Sequence, residues 1–297
     1  MIAIGELQID RVEEICGAFL GMDEFLDGVP REVLARDPAW RARHGVDSTG
    51  KLVTSVHSWI VRTKHHVILI DTCLGNDKDR GEGNAGHRLQ LDWLNRLRAK
   101  GLRPEDVDFV MCTHLHTDHV GWNTRLVDGR WVPTFPNARY IFSRMEYEHW
   151  HPEIRASNFL DQGVAFLNSV LPCVEAGQAD IVEEGYSIDD HLMLEGAPGH
   201  TPGTCIIRAS SAGSVGLFVG DCMHSPIQVA YPDVNSVACE IPDQARDTRR
   251  RLLSECAEHG HMILPAHFPP PFAGHVKRAG EAFEYLPLTG DTDRRHM

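Results

Sequence analysis

The chain has 297 residues, 42% of them hydrophobic and 24% charged, enough for one large globular domain or two fused halves. Lys and Arg number 29 against 42 Asp and Glu, a net charge of -13. An acidic chain without a basic stripe is a poor match for nucleic acid, where phosphates must be neutralised.

No apolar run approaches a membrane span, and Met1-Ile2-Ala3-Ile4-Gly5-Glu6 has no basic leader followed by an apolar core. A soluble, cytoplasmic protein is expected, without membrane or nucleic-acid partners. The eight cysteines form no Cys-x-x-Cys pair and mostly sit among apolar residues, so reduced core thiols are expected.

Residues 1–50 mix isolated apolar anchors, Phe25-Leu26 and Trp40, with charged residues, and Pro30 and Pro38 break any long helix. They read as an irregular N-terminal arm, with a short helix near Arg31–Ala35, packed on a single domain spanning 51–297. Val53–Arg62 and His66–Asp71 read as strands of a hairpin. Gly75–Gly86 is a glycine-rich loop. His87–Lys100, with Leu91, Leu94 and Leu97 at helical spacing, predicts a helix that Gly101 stops.

The apolar run Val107–Met111 leads into Cys112-Thr113-His114-Leu115-His116-Thr117-Asp118-His119-Val120-Gly121. If the backbone stays extended there, His114 and His116 point the same way, because strand side chains repeat every second residue. Both imidazoles then reach one cation. Asp118 and His119 follow as the chain turns, so they can serve a second point. One loop can thus present donors to two metals side by side.

Val127-Asp128-Gly129-Arg130-Trp131 reads as a tight hairpin turn, and Tyr140-Ile141-Phe142 as a strand. Ser143-x-x-Glu146 predicts a capping box opening the helix Met145–Trp150. A second amphipathic helix is expected over Phe159–Leu171, ended by Pro172. His57, His149 and His151 lack ligand spacing and read as surface or packing residues.

Three later places offer further donors beside Gly or Pro: His200 in Gly199-His200-Thr201-Pro202-Gly203, Asp221 after Val215–Val219, and His267 after Met262–Pro265. Such turns at strand ends carry functional side chains on a rigid scaffold. A helix is expected from Pro242-Asp243 through Glu258, with Leu252, Leu253 and Cys256 inward and Arg249-Arg250-Arg251 on a solvated face.

The pattern resembles the metallo-β-lactamase superfamily from about Ser55 to about His275. The resemblance implies a four-layer αββα sandwich, an α/β (α+β) fold of two similar halves with the metal site at one edge. It implies one metal on His114, His116 and His200, a second on Asp118, His119 and His267, and Asp221 between them. It also implies that an aspartate at Asp71 orients a ligand histidine through its other nitrogen. Two divalent ions are expected, zinc first, with iron, manganese or cobalt as alternatives.

Such ions, on the order of 3.5–4 Å apart, share a hydroxide that attacks a carbonyl or phosphorus centre. Asp118 is the expected proton carrier. His224 stands where lactonases of the family often carry a tyrosine that binds the substrate oxygen. Trp122, Trp150 and Phe268 are the expected pocket walls, and the stretch 139–171 resembles the helical lid of methyl-parathion-type hydrolases.

The expected function is hydrolysis of a small lactone or ester, as in quorum-quenching N-acyl-homoserine lactonases, with phosphotriesterase side activity. Alternatives are a glyoxalase-II-like thioesterase, a β-lactamase, and an iron-dependent redox enzyme. Glyoxalase-like enzymes need a basic cluster that is not visible here; flavodiiron-type proteins replace some of these histidines by carboxylates. No organic cofactor is expected. Homodimerisation is a further expectation of the resemblance.

Overall fold

The computed structural model describes residues 1–151 and 160–288. Two seven-stranded sheets dominate it. The first has the order Ile2–Ile4, Leu7–Gly21, Lys51–Arg62, Val67–Ile70, Phe109–Met111, Arg139–Ser143, Ala179–Val182. The second runs Ser187–Ile188, Leu192–Gly196, Cys205–Ser211, Ser214–Gly220, Met262–Pro265, Gly274–Ala279, Ala282–Pro287.

Strand periodicity divides the apolar residues among layers. Ile68 and Ile70 face the second sheet, where they meet Ile207, Phe218 and Leu264. Leu69 faces the other way, with Val110, Trp93 and Leu97. In the second sheet Phe218 points to the shared core, while Leu217 and Val219 pack on Leu252, Leu253 and Cys256 of the helix Pro242–His259. The result is a sandwich of two sheets with helices on the outer faces. Buried on both faces, the central strands read as continuous apolar runs.

Val67–Ile70, Phe109–Met111, Arg139–Ser143 and Ala179–Val182 are parallel neighbours, as are Ser214–Gly220 and Met262–Pro265. Chain segments leaving their C-terminal ends therefore gather along one edge, and every donor segment named above except that of His200 leaves such an end.

Several expectations need correction. The N-terminal stretch is not an irregular arm: Leu7–Gly21 is a 15-residue strand hydrogen-bonded along Lys51–Arg62. Register shifts at Glu13/Ile15 and Ala18/Leu20 break its alternation, and a buried acid, Glu14, interrupts its apolar face. The short helix is present at Arg31–Leu34. The helix expected from His87 begins only at Trp93, because Asn76 binds the Leu91 backbone at both its N–H and its C=O.

Ser143 precedes the helix Arg144–Trp150 but makes no capping bond. The helix expected over 159–171 lies partly outside the described residues. The chain is helical over Leu160–Ala165, π-helical over Phe166–Val170 and helical again over Leu171–Glu175, so Pro172 opens a helix instead of ending one. Arg249 is fully buried, not solvated. It donates to the carbonyls of Cys222, Pro232 and Val234 and to Asn235 Oδ1, which pins the loop after Asp221. No disulfide forms: seven of the cysteines are buried and Cys16 is half-buried.

Candidate active site

After Met111 the chain leaves the sheet, bends at Thr113 and is extended again at His116, then makes one helical turn, Thr117–Val120. Gly121 closes it. A Cβ there would fall 1.8 Å from the Leu74 carbonyl oxygen, so only glycine permits this close approach. Gly220 plays the matching part in the other half. It has φ +46°, and a Cβ on it would meet Thr113 Oγ1 at 2.6 Å.

These turns bring all of the expected donors together. One group comprises His114, His116, His200 and Asp221, the other Asp118, His119 and His267; within each, donor atoms lie within 4.8 Å of one another. Asp221 joins the two. Its Oδ2 lies 3.3 Å from His200 Nε2 and 3.7 Å from His114 Nε2, while Oδ1 lies 3.0 Å from His267 Nε2 and 3.2 Å from His119 Nε2. Asp118 reaches His267 Nε2 at 3.4 Å and His119 Nε2 at 3.8 Å.

The donor set fits a metal by its own geometry. His114 Nε2 is buried and has no hydrogen-bond partner, while its Nδ1 lies 3.2 Å from Thr113 Oγ1. Ring nitrogens converge on each other, His200 Nε2 on His116 Nδ1 at 2.9 Å and His267 Nε2 on His119 Nε2 at 3.3 Å. Buried imidazoles aimed at a common point, with carboxylates on the same point, suit divalent cations. The outward nitrogens are anchored: His119 Nδ1 on Asp71 Oδ2 at 2.9 Å and His267 Nδ1 on the Ser55 carbonyl at 2.8 Å. Asp71 also accepts from the N–H and Oγ1 of Thr113, so it braces the donor loop as well as one donor.

The electrostatics split along the same line. Burial holds His114, His116 and His200 below the ordinary imidazole range, His116 at about 4. Burial also opposes protonation of His119 and His267, but Asp221 and its carboxylate neighbours outweigh it. Both are raised, His267 to about 9. Asp221 is held well below the carboxylate range, its burial overcome by His119, His267, His224 and His200.

His224 is buried beside the cluster, its Nε2 3.1 Å from Asp221 Oδ2 and its ring stacked on His267 at 5.6 Å. Burial keeps it below the ordinary range against the pull of Asp221, so it is a neutral imidazole near pH 7.

The donors open into a cleft of about 280 Å³. Its walls are not the expected ones. Trp122 stacks on Trp93 and donates to Glu14 Oε1, held in the outer core by that buried acid. Phe268 is fully buried against Tyr285, on the outer face of the second sheet. Trp150 is buried behind His116, ring to ring at 5.3 Å, and donates to Glu146.

The wall is instead Leu20, Phe25, Thr54, Val56 and Ala238, with Glu240 as a polar residue paired to His149. Phe25 sets its ring edge against His224 at 5.2 Å. His57 is buried and bound to Ser55, as a packing residue. Of these, Glu240 carried no signal in the sequence; Leu20 was hidden by the broken alternation of its strand.

Comparison with known proteins agrees with this geometry. Residues 52–267 match the family described as "Metallo-beta-lactamase superfamily". The chain is 33% identical over 199 residues to "N-acyl homoserine lactonase AttM" of Azorhizobium caulinodans, covering 62% of this chain and 67% of that protein. It is 29% identical over 177 residues to "Metallo-beta-lactamase domain-containing protein 1" of Xenopus laevis, 60% of each. An N-acyl homoserine lactonase of Bacillus thuringiensis is 25% identical over 57% of this chain and 65% of its own. The alignments thus span about two-thirds or less of these relatives.

Among solved structures, "hydrolase AbOPH in beta lactamase superfamily" superposes with a TM-score of 0.80 at 24% identity, over 98% of this chain and 97% of that one. "AidC, a Dizinc Quorum-Quenching Lactonase" does so with a TM-score of 0.76 at 21% identity and the same coverage. These likenesses show the fold. With most of its length matched to one family and that family's donor pattern folded into a single buried cluster, the chain belongs to the metallo-beta-lactamase superfamily.

Proposed function

We propose that the chain hydrolyses a neutral lactone or ester, with an N-acyl lactone as the best-fitting substrate. The observation that carries this is the pairing of the donor cluster with the wall beside it. Among the described residues lining the cleft there is no lysine or arginine, and one side is apolar, built by Leu20, Phe25 and Val56. A substrate with several carboxylates, such as a glutathione thioester, finds no lysine or arginine among them to pair with. An acyl or alkyl substituent finds a surface to leave water on. The lactonases among the relatives support the same class.

His114, His116, His200 and Asp221 would hold one ion, and Asp118, His119 and His267 with Asp221 the other; zinc suits the donors. When bound, such ions supply an activated water and an electrophile for the substrate's carbonyl oxygen. The side chains do the rest. Asp118, the most exposed donor at 28%, faces the cleft and can take a proton from the attacking water and return it to the leaving oxygen. His224, neutral and buried, has one N–H, which lies on Asp221 Oδ2 at 3.1 Å; transferred to the substrate oxygen, it would play the part a tyrosine plays in the lactonases that the sequence resembles. Phe25 fixes the His224 ring and lines the acyl side.

The test is a panel of N-acyl homoserine lactones, simple esters, thioesters, β-lactams and a phosphotriester, assayed with the zinc-loaded chain. Lactones or esters should lead by at least an order of magnitude in kcat/KM. A lead for thioesters or β-lactams would overturn the reading.

A further inference from the structure

Each donor group has one buried carboxylate behind it, and the two differ in what they hold. Asp71 contacts the second group directly, through His119 Nδ1. Among the described residues Glu146 makes its side-chain hydrogen bonds to Leu115, Trp150 and Thr201 and not to a donor ring. It is fully buried on the helix Arg144–Trp150, where it would have capped Ser143 had it faced solvent. Instead it accepts three bonds. One Oε1 bond comes from the N–H of Leu115, the residue between His114 and His116, at 3.1 Å. Another comes from Trp150 Nε1 at 2.5 Å. The other oxygen accepts from Thr201 Oγ1, next to His200, at 2.6 Å.

All three links lead to the same donor group. Leu115 carries His114 and His116, Thr201 carries His200, and the Trp150 ring backs the His116 ring at 5.3 Å. The His200 turn is drawn in so tightly that a Cβ on Gly203 would lie 2.4 Å from the Glu146 nitrogen. Thr201 and Thr204 close the turn on itself, Oγ1 to Oγ1 at 2.6 Å. A carboxylate suits this place because it accepts only, and three donors converge on it.

We propose that Glu146 is the positioning residue of the three-histidine site. It sets the spacing between the His114–His116 segment of the first half and the His200 turn of the second. This rests on the assignment of those histidines as metal donors, but not on the choice of substrate. Removing Glu146 should therefore weaken one metal site and spare the other.

The experiment is zinc binding to the metal-free full-length chain, by competition with a chromophoric chelator. Anomalous scattering from crystals at sub-saturating zinc then assigns each loss to a site. Glu146→Ala should lower affinity at the His114/His116/His200 site by roughly 10–100-fold, as is usual when an outer partner of a metal ligand is lost. The Asp118/His119/His267 site should change by less than about threefold.

Glu146→Gln should fall between, because the amide keeps one acceptor and Thr201 can turn its hydroxyl to accept from the NH2. Asp71→Asn, which touches His119 directly and His114 through Thr113, should weaken both sites, the His119 site more. If Glu146→Ala does not fold, Thr201→Val and Trp150→Phe each cut one link and should lower the same site in smaller steps. Equal weakening of both sites, or a lower melting temperature with the ratio of the two affinities unchanged, would overturn the proposal. A wild-type chain that takes up two ions yet hydrolyses nothing would refute the functional reading alone; one that takes up none would refute both.

Discussion

The donor cluster and the cleft wall beside it were built by opposite rules. The cluster uses residue types that few other tasks require, at fixed spacing, each beside a glycine, a proline or a strand end. The wall uses Leu20, Phe25, Val56 and Ala238, ordinary apolar residues brought together only by tertiary packing. The cluster is closely tied by hydrogen bonds to Asp71, Ser55 and Thr113, whereas the wall is held by van der Waals contact. The difference implies that cluster changes act on whether the reaction occurs, and wall changes act on which substrate is preferred.

The largest effect should come from breaking the cluster at its centre. Asp221→Asn removes the charge shared by both donor groups. It is expected to lower kcat/KM by about 10³-fold or more, with metal content falling below two equivalents by atomic absorption. A variant that keeps full activity would dissolve the distinction between cluster and wall.

His224 lies on the border between the two regions. His224→Ala should retain both metals and lose on the order of 10²-fold in kcat, the usual effect of deleting one oxyanion donor. His224→Tyr should recover part of it, if a hydroxyl can stand in. A loss confined to KM would place His224 in the wall instead.

Lys78 sharpens the contrast from elsewhere in the fold. It is as buried as the donors, but its bonds are to Thr124 Oγ1 and the Asn168 carbonyl, with Trp131 beneath it, and none of these is a carboxylate. Burial lowers its pKa from 10.5 to about 6. Between those two values the unfolded chain carries a proton that the folded chain lacks, so stability rises with pH, by up to about 1.4 kcal/mol per unit. Below about 6 both states are protonated and this slope vanishes. Lys78→Met should stabilise by about 2 kcal/mol near neutral pH, and its advantage should shrink as pH rises, measured by urea unfolding across pH. An unchanged pH slope would show that Lys78 stays charged in the fold.

The smallest effect belongs to the wall. Phe25→Ala should cost roughly fivefold in kcat/KM for a lactone with an apolar acyl chain, about 1 kcal/mol, and almost nothing for an unsubstituted lactone. Equal losses on both would mean that Phe25 acts through His224, not through the acyl group.

Legibility followed the same division. His114, His116, Asp118, His119, His200, Asp221 and His267 were readable because each is a rare type at a strand end or turn, and the fold brings them all within reach. The sandwich was readable only through the family resemblance those donors carry, because strands such as Val67–Ile70 are continuous apolar runs without alternation. The long strand Leu7–Gly21 was not, because Glu14 turns inward to receive Leu74 N, Gly75 N and Trp122 Nε1. The same bond took Trp122 away from the cleft. Glu146 looked like a helix cap and Arg249 like a solvated charge, since buried polar hubs have partners distant in sequence and no local pattern. Phe268 followed a donor in the chain but turned into the outer core, so adjacency in sequence did not give adjacency to the cleft.

The most direct test is to titrate the metal-free chain with zinc while following lactone ring opening. Activity should be absent at the start, rise with added zinc and level off at two equivalents per chain. Ring opening without metal, or a plateau reached with only one ion bound, would contradict the account.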